Sequence, residues 1–216
     1  MTDVLRFEGG PFAENTYLVI SGGRATLVDP GWATPRALRA VEDRGLPLDA
    51  VLLTHAHIDH VEGLPLLADH APLPVRLHPD DLPLYRAAPA QAAAFGVELG
   101  TLPTVQTDLH HGQVLTLPGE LELHVRHVPG HAPGHVLFHA PAEQWALVGD
   151  VVFLGSIGRT DLPGGDFHTL MASIRREVLG LPDDTRLLPG HGPETTVRHE
   201  RVSNPFLIPH YGGERA

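Results

Sequence analysis

The stretch Thr54-His55-Ala56-His57-Ile58-Asp59-His60 determines how this chain folds and what it can bind. It directly follows Ala50–Leu53, a short apolar run typical of a strand that is buried on both faces. Side chains alternate with a period of two in extended backbone, so His55 and His57 present their imidazoles on the same side. The stretch therefore predicts a metal-binding loop at the end of a buried strand.

Asp59 and His60 extend this loop at the point where the chain turns into a helix, so their side chains can face a second point close to the first. Four potential ligands within six residues favour two adjacent cations, because so short a segment cannot easily wrap one tetrahedral ion. The alternative is a solvated polar loop in which three histidines occur by chance.

Three later positions carry the residue types that could complete such a pair of sites. His131 and His191 each follow a glycine, shortly after an apolar run that reads as a strand. Asp150 ends the run Leu147-Val148-Gly149, where an unpaired charge would be costly. Because ligands at strand ends share one edge of a rigid scaffold, we expect these side chains to meet the histidine run.

Composition narrows the classes of function. The chain has 15 basic residues (Lys and Arg) and 26 acidic residues (Asp and Glu), so its formal net charge is −11. Because this charge repels a phosphate backbone, we expect no nucleic-acid partner. The absence of cysteine excludes a cysteine nucleophile and a thiolate metal site, whereas sixteen histidines favour nitrogen ligands. The N-terminus lacks a signal-peptide pattern, and no segment approaches the roughly 20 apolar residues of a membrane span. We therefore expect a cytoplasmic protein with no membrane partner.

The pattern of apolar residues predicts strands and helices in alternation. A hairpin is predicted for Thr16–Ile20 and Ala25–Asp29, with a helix from Pro35 to Arg44 and another from Asp166 to Leu179. Short helices broken by prolines are expected between Pro65 and Phe95, and a final helix from about Thr195. Further strands are predicted at Gln113–Leu117, Glu120–Val128, Val136–Ala140, Trp145–Val148 and Arg186–Leu188. These elements predict one α/β domain over residues 1–216, in which two packed sheets carry helices outside.

Several short motifs give the chain a family resemblance over nearly its whole length. They are Asn15-Thr16-Tyr17-Leu18, Asp29-Pro30-Gly31, the histidine run, Gly149-Asp150, Gly158-Arg159-Thr160-Asp161 and His191-Gly192-Pro193-Glu194-Thr195-Thr196. In this order they resemble the metallo-β-lactamase superfamily, and within it the glyoxalase II-like metallo-hydrolases. The resemblance implies a four-layer αββα sandwich.

The resemblance also implies a ligand set for two divalent metal ions, with zinc expected and iron or manganese as alternatives. One metal would be bound by His55, His57 and His131, the other by Asp59, His60 and His191, with Asp150 bridging them. A hydroxide shared by the two metals would attack a small-molecule substrate, most plausibly at the carbonyl carbon of a thioester. Asp59 could also steer the proton as a catalytic group.

Three residues near the ligands have two competing interpretations each. His135 and Asp29 could hold ligand imidazoles in the correct tautomer, or serve ordinary turn and core roles. Arg159 could contact substrate, or form a structural pair with Asp161.

The substrate and the reaction class stay open within the family. The chain ends at Ala216, so it resembles the short branch without a C-terminal helical domain, and a specificity for glutathione thioesters does not follow. Persulfide dioxygenases share the Gly-Arg-Thr-Asp motif and use one iron, held by residues that match His55, His131 and Asp150. The sequence Gly134-His135 favours hydrolysis over this alternative, and a lactonase is a third possibility. A nuclease and a non-catalytic binding module fit less well, and the sequence does not indicate an oligomeric state.

Overall fold

The computed structural model describes residues 2–68 and 72–208, which build two β-sheets packed face to face. In the first sheet the strands lie in chain order: β1 (Asp3–Gly9), β2 (Glu14–Ser21), β3 (Arg24–Val28), β4 (Leu48–Leu52) and β5 (Val75–Arg76). The first three strands are antiparallel, and β4 and β5 continue parallel to β3. The predicted hairpin between β2 and β3 is confirmed, and Gly22 and Gly23 supply its positive φ angles of 55° and 75°.

The second sheet has the order β13-β12-β9-β8-β7-β6. Its strands are β6 (Val114–Leu117), β7 (Leu121–His127), β8 (Val136–Ala140), β9 (Trp145–Gly149), β12 (Arg186–Pro189) and β13 (Thr195–Thr196). A separate two-stranded hairpin consists of β10 (Val152–Phe153) and β11 (Ser156–Ile157). Strand β7 is antiparallel to β8, and β8 is antiparallel to β9, while β12 runs parallel to β9. Strands β7, β9 and β12 therefore run in one direction and end at the same edge.

Helices cover the outer faces of both sheets. They are α1 (Thr34–Asp43), α2 (Ile58–Val61), α3 (Leu82–Arg86), α4 (Ala88–Phe95), α5 (Phe167–Ser173) and α6 (Val197–Ser203). The backbone of α5 continues through a π-helical turn over Ile174–Val178, and the Asp166 carboxylate caps its start by accepting from Thr169 N at 2.7 Å. None of the described helices has the length and apolar character needed to cross a membrane.

The stretch between Pro65 and Phe95 differs in part from the prediction. Helices α3 and α4 are present there, but Val75–Arg76 is a strand that pairs in parallel with β4. A strand of two residues is too short to show the alternation of apolar and polar side chains. It therefore cannot be recognised in a proline-rich stretch of sequence. Residues 69–71 of this stretch lie outside the described part of the chain.

Three apolar clusters separate four layers. In β2, Leu18 packs against helices α1 and α2, while Tyr17 and Val19 face the second sheet. In β8, Phe138 packs between the sheets, while Leu137 faces α5 and α6. This alternation follows from the period of two in a strand with both faces buried. The expected four-layer αββα sandwich is thereby confirmed, whereas the single-domain assignment for residues 1–216 stays a prediction.

Candidate metal centre

The two sheets meet at the edge where strands β4, β7, β9 and β12 end. Asn15 at the start of β2 joins them: its N–H donates to Gly190 O at 2.7 Å, and its Nδ2 donates to Pro189 O at 2.9 Å. The histidine run follows β4, and the loops after β7, β9 and β12 carry the three later candidates. The structure thus brings together all seven residues predicted as ligands: His55, His57, Asp59, His60, His131, Asp150 and His191.

Three imidazoles converge on a first point. His57 Nδ1 lies 2.8 Å from His131 Nε2, and His131 Nε2 lies 3.2 Å from His55 Nε2. All three side chains are buried, and burial lowers the pKa of His57 to about 3 and also lowers those of His55 and His131. Neutral imidazoles offer lone pairs, so this group can hold a cation with three nitrogen ligands.

A second group lies next to the first and carries negative charge. Asp59 Oδ2 lies 3.3 Å from His191 Nε2 and 3.9 Å from His60 Nε2. Burial lowers the pKa of His60, but Asp150 and Asp59 outweigh burial and raise it well above its usual value. The pKa of His191 rises to about 10, since hydrogen bonds to Asp150 and Asp59 likewise outweigh burial. A group that attracts protons this strongly also attracts a metal cation.

Asp150 contacts both groups. Its Oδ2 lies 3.5 Å from His131 Nε2 and 3.3 Å from His191 Nε2, and its Oδ1 lies 3.4 Å from His60 Nε2. Burial raises the pKa of Asp150, but His60 and His191 outweigh burial and hold it well below its usual value. A buried carboxylate at this position can serve two cations at once.

Orphaned polar atoms show that these side chains fit metal ions. His60 Nε2 and Asp150 Oδ1 are buried and have no hydrogen-bond partner among the described residues. Leaving a buried polar group unsatisfied costs about 1–3 kcal/mol, and more for a charged group. A cation between them would satisfy both atoms, and a set of nitrogen and oxygen ligands suits zinc, iron or manganese.

Four imidazoles are oriented by hydrogen bonds from their Nδ1 atoms. His131 Nδ1 donates to the carbonyl oxygen of Arg159 at 2.8 Å, and His191 Nδ1 donates to that of Phe12 at 2.9 Å. His55 Nδ1 lies 3.0 Å from Thr54 Oγ1. The fourth is His60, described next. In each case the bond fixes the ring so that Nε2 faces the site.

Asp29 orients two ligand-bearing segments. It adopts a left-handed φ of 48°, and its Oδ2 lies 3.1 Å from His60 Nδ1. The same carboxylate accepts from Thr54 N at 2.7 Å and from Thr54 Oγ1 at 2.6 Å. These contacts agree with the interpretation of Asp29 as a residue that holds the His60 imidazole in place.

We expect Asp29→Asn to lower the affinity for metal about 10- to 100-fold. Asparagine tolerates the left-handed backbone, but its amide nitrogen cannot accept from Thr54 or His60. Metal affinity is measured by competition with a chromogenic chelator. Asp49→Asn is the control, since Asp49 pairs with Arg24 on the surface at 2.6 Å. Equal affinities of the two variants would contradict an orienting role for Asp29.

Among the described residues His135 makes no hydrogen bond to a ligand imidazole, whereas Arg159 forms the pair with Asp161 that was one of its two interpretations. His135 stacks on His55, with ring centroids 4.6 Å apart, and its Nε2 accepts from Asp150 N at 3.0 Å. It therefore holds the backbone of Asp150 rather than the tautomer of a ligand imidazole. Arg159 orients His131 through its carbonyl, while its guanidinium forms two 2.7 Å hydrogen bonds with Asp161. The structural Arg159–Asp161 pair is thus present.

Asp81, which connects two ligand-bearing loops, was not predicted from the sequence. Its carboxylate accepts from Ala56 N at 2.8 Å and from Gly134 N at 2.6 Å. Burial raises the pKa of Asp81 to about 6, against the opposing effect of these two bonds. Because both partners are backbone N–H groups, no motif in the sequence identifies this contact.

A cavity of about 320 Å³ opens onto the two groups of ligands. His57, Asp59, His131, Asp150 and His191 line one side of it. Its other walls are mainly apolar and include Phe12 and Phe95. These two residues were not predicted, because a single phenylalanine in a sequence does not indicate whether it lines a cavity. The cavity gives a substrate access to both groups.

Comparisons with known proteins agree with this geometry. A family model described as the metallo-beta-lactamase superfamily matches residues 9–191. A protein named hydroxyacylglutathione hydrolase GloC from Haemophilus influenzae is 38% identical over 204 residues, covering 91% of this chain and 93% of that protein.

Two solved structures are similar as well. The di-iron-bound form of TTHA1623 has a TM-score of 0.86 and 44% identity, covering 94% of this chain and all of that one. The BLEG-1 B3 metallo-beta-lactamase has a TM-score of 0.84 and 33% identity, covering 98% of this chain and all of that one.

Proposed function

Since the chain belongs to the metallo-beta-lactamase superfamily, we propose that this metallo-hydrolase cleaves thioesters with two divalent metal ions. His55, His57 and His131 would hold one ion, Asp59, His60 and His191 would hold the other, and Asp150 would be shared by both. The observation that carries the proposal is the position of Asp150, within 3.5 Å of nitrogens from both groups.

The chemistry divides between the metals and the protein. When bound, two divalent cations supply a water of lowered pKa and a Lewis acid for the carbonyl oxygen of the substrate. Asp59 lines the cavity, and its carboxylate would be the group that accepts a proton from the attacking water. The oxygen of the water would bond to the carbonyl carbon, the carbon–sulfur bond would break, and the departing thiolate would take up the proton from Asp59.

Two relatives bear on the substrate and on the metal. GloC, as its name states, is a hydrolase of hydroxyacylglutathione, which is a thioester. TTHA1623 was solved with two irons, so a pair of metals is compatible with a closely similar chain. We therefore propose zinc or iron as the resident metal and a thioester as the bond that is cleaved.

The test combines metal analysis with three assays of the same preparation. We expect two metal ions per chain and hydrolysis of S-lactoylglutathione that stops on chelation and returns with added zinc or iron. Oxygen uptake with glutathione persulfide by a protein with one iron would instead show a dioxygenase. Cleavage of lactones or β-lactams without thioester cleavage would show a hydrolase of another class.

A further inference from the structure

We propose that the cavity beside the metal centre binds a short apolar acyl group, and that its side chains do not recognise the charge of the thiol carrier. The preferred substrate class is then a thioester with an uncharged, apolar acyl chain. This inference rests on the proposed thioester hydrolysis and specifies which thioester is cleaved.

Two phenylalanines form an aromatic wall at the mouth of the cavity. The rings of Phe12 and Phe95 meet edge to face, with centroids 5.5 Å apart and an interplanar angle of 84°. Their exposed fractions are 38% and 50%. Paired aromatic rings left open to water beside a reaction centre favour an apolar ligand, because its binding removes their surface from water.

The apolar lining continues inward to the ligands. Phe153, Ile157 and Leu162 line the same cavity, and the Phe153 ring lies 5.8 Å from the His191 ring. An acyl chain placed along this lining would bring its carbonyl carbon to the metal centre. The volume of about 320 Å³ is near the lower end of ligand cavities, which span about 300–1,000 Å³. It accommodates a short acyl chain and leaves a tripeptide carrier largely outside.

Charge at the cavity does not favour an anionic carrier such as glutathione. Of the described residues that line it, Arg159 is the one arginine, and Asp161 neutralises it through the two hydrogen bonds given above. The chain as a whole has a net charge of −11 and contains no lysine. Apart from the metal ions, a carboxylate of the carrier would therefore meet no unpaired side-chain cation of Lys or Arg among the described residues that line the cavity.

The test uses four thioesters that vary the two parts of the substrate separately. They are the hexanoyl and lactoyl thioesters of N-acetylcysteamine and of glutathione, assayed with the metal-loaded enzyme. We expect kcat/KM to be about tenfold higher for hexanoyl than for lactoyl on either thiol, because burial of methylene groups stabilises the bound chain. Exchange of the thiol should change kcat/KM less than about threefold.

The outcomes separate this inference from the proposed function. Faster cleavage of lactoyl than of hexanoyl thioesters, or a preference above about tenfold for glutathione, would overturn the inference and leave thioester hydrolysis standing. No cleavage of any of the four by enzyme with two metals would overturn the proposed function and the inference with it.

Phe95→Ala tests the aromatic wall. We expect it to reduce the hexanoyl-to-lactoyl ratio of kcat/KM about fivefold and to weaken binding of hexanoate, measured by calorimetry. Phe167→Ala is the matched control, since Phe167 is 46% exposed and lies outside the cavity lining. An unchanged ratio in the Phe95→Ala enzyme would contradict the assignment.

Asp161→Asn tests the neutralised cation. The amide keeps a hydrogen bond to Arg159 but removes the negative charge, so we expect kcat/KM for glutathione thioesters to rise about threefold at low salt. The N-acetylcysteamine thioesters should not gain. An equal gain for both thiols would contradict the charge argument.

Discussion

Asp150→Asn should reduce kcat/KM for thioester hydrolysis by at least about 1,000-fold, which corresponds to about 4 kcal/mol of transition-state stabilisation. The cause is the loss of a charge that both groups of ligands share. Asparagine has nearly the same shape, but it removes one of the two carboxylates that face His191 and leaves two cations to repel each other. Its amide NH₂ also has no acceptor at His60 Nε2 when that atom binds a metal.

Metal content of the purified variant is the direct measurement for Asp150→Asn. We expect it to fall from two ions per chain to one or fewer after dialysis, and thermal unfolding of the variant shows whether it is folded. Asp184→Asn serves as control, because Asp184 is an exposed partner of Arg198 and does not line the cavity. Two retained metals with full activity would remove Asp150 from the bridging position.

The ligand positions could be predicted because strand ends and metal chemistry leave a signal in the sequence. A histidine run after a buried strand, and an aspartate that ends an apolar run, are each local patterns. The topology then brings them together, because β7, β9 and β12 run in the same direction. They end at the edge where β4 also ends. The family resemblance divided these residues into two groups, and within His55, His57 and His131, as within Asp59, His60 and His191, the potential ligand atoms lie within 4.8 Å of one another. His55 and His60 also form such a group with Asp29, so the two groups adjoin.

The supporting contacts could not be predicted because their partners lie far apart in the chain. Asp81 bonds to the backbone of Ala56 and Gly134, and any residue type at those two positions would supply the same N–H groups. Arg159 was noted for its charge, yet the group that reaches the site is its carbonyl oxygen. Strand β1 was also not predicted, although Leu5 and Phe7 alternate with Arg6 and Glu8 and pack on the first apolar cluster.

Gly190→Ala should reduce metal affinity and activity about 100-fold through steric displacement of ligands. A Cβ at this position would overlap Asp150 Oδ1 and come within 2.7 Å of His60 Cε1. Gly190 has no positive φ angle, so the alanine backbone is not strained and the added methyl group acts by volume alone. The neighbouring backbone cannot easily move, because Gly190 N donates to Gly149 O and Gly190 O accepts from Asn15 N.

Gly112→Ala separates this steric effect from backbone strain. Gly112 has a φ of 82° and open space around its Cα, so alanine there is strained by about 1 kcal/mol and touches no ligand. We expect Gly112→Ala to lower the free energy of unfolding and to leave the metal affinity unchanged. We expect Gly190→Ala to lower mainly the metal affinity, with a smaller effect on the free energy of unfolding. Equal metal affinities in both variants would mean that the backbone at the edge between the sheets shifts to accommodate the methyl group. The close approach of Gly190 to Asp150 would then not position the bridging carboxylate.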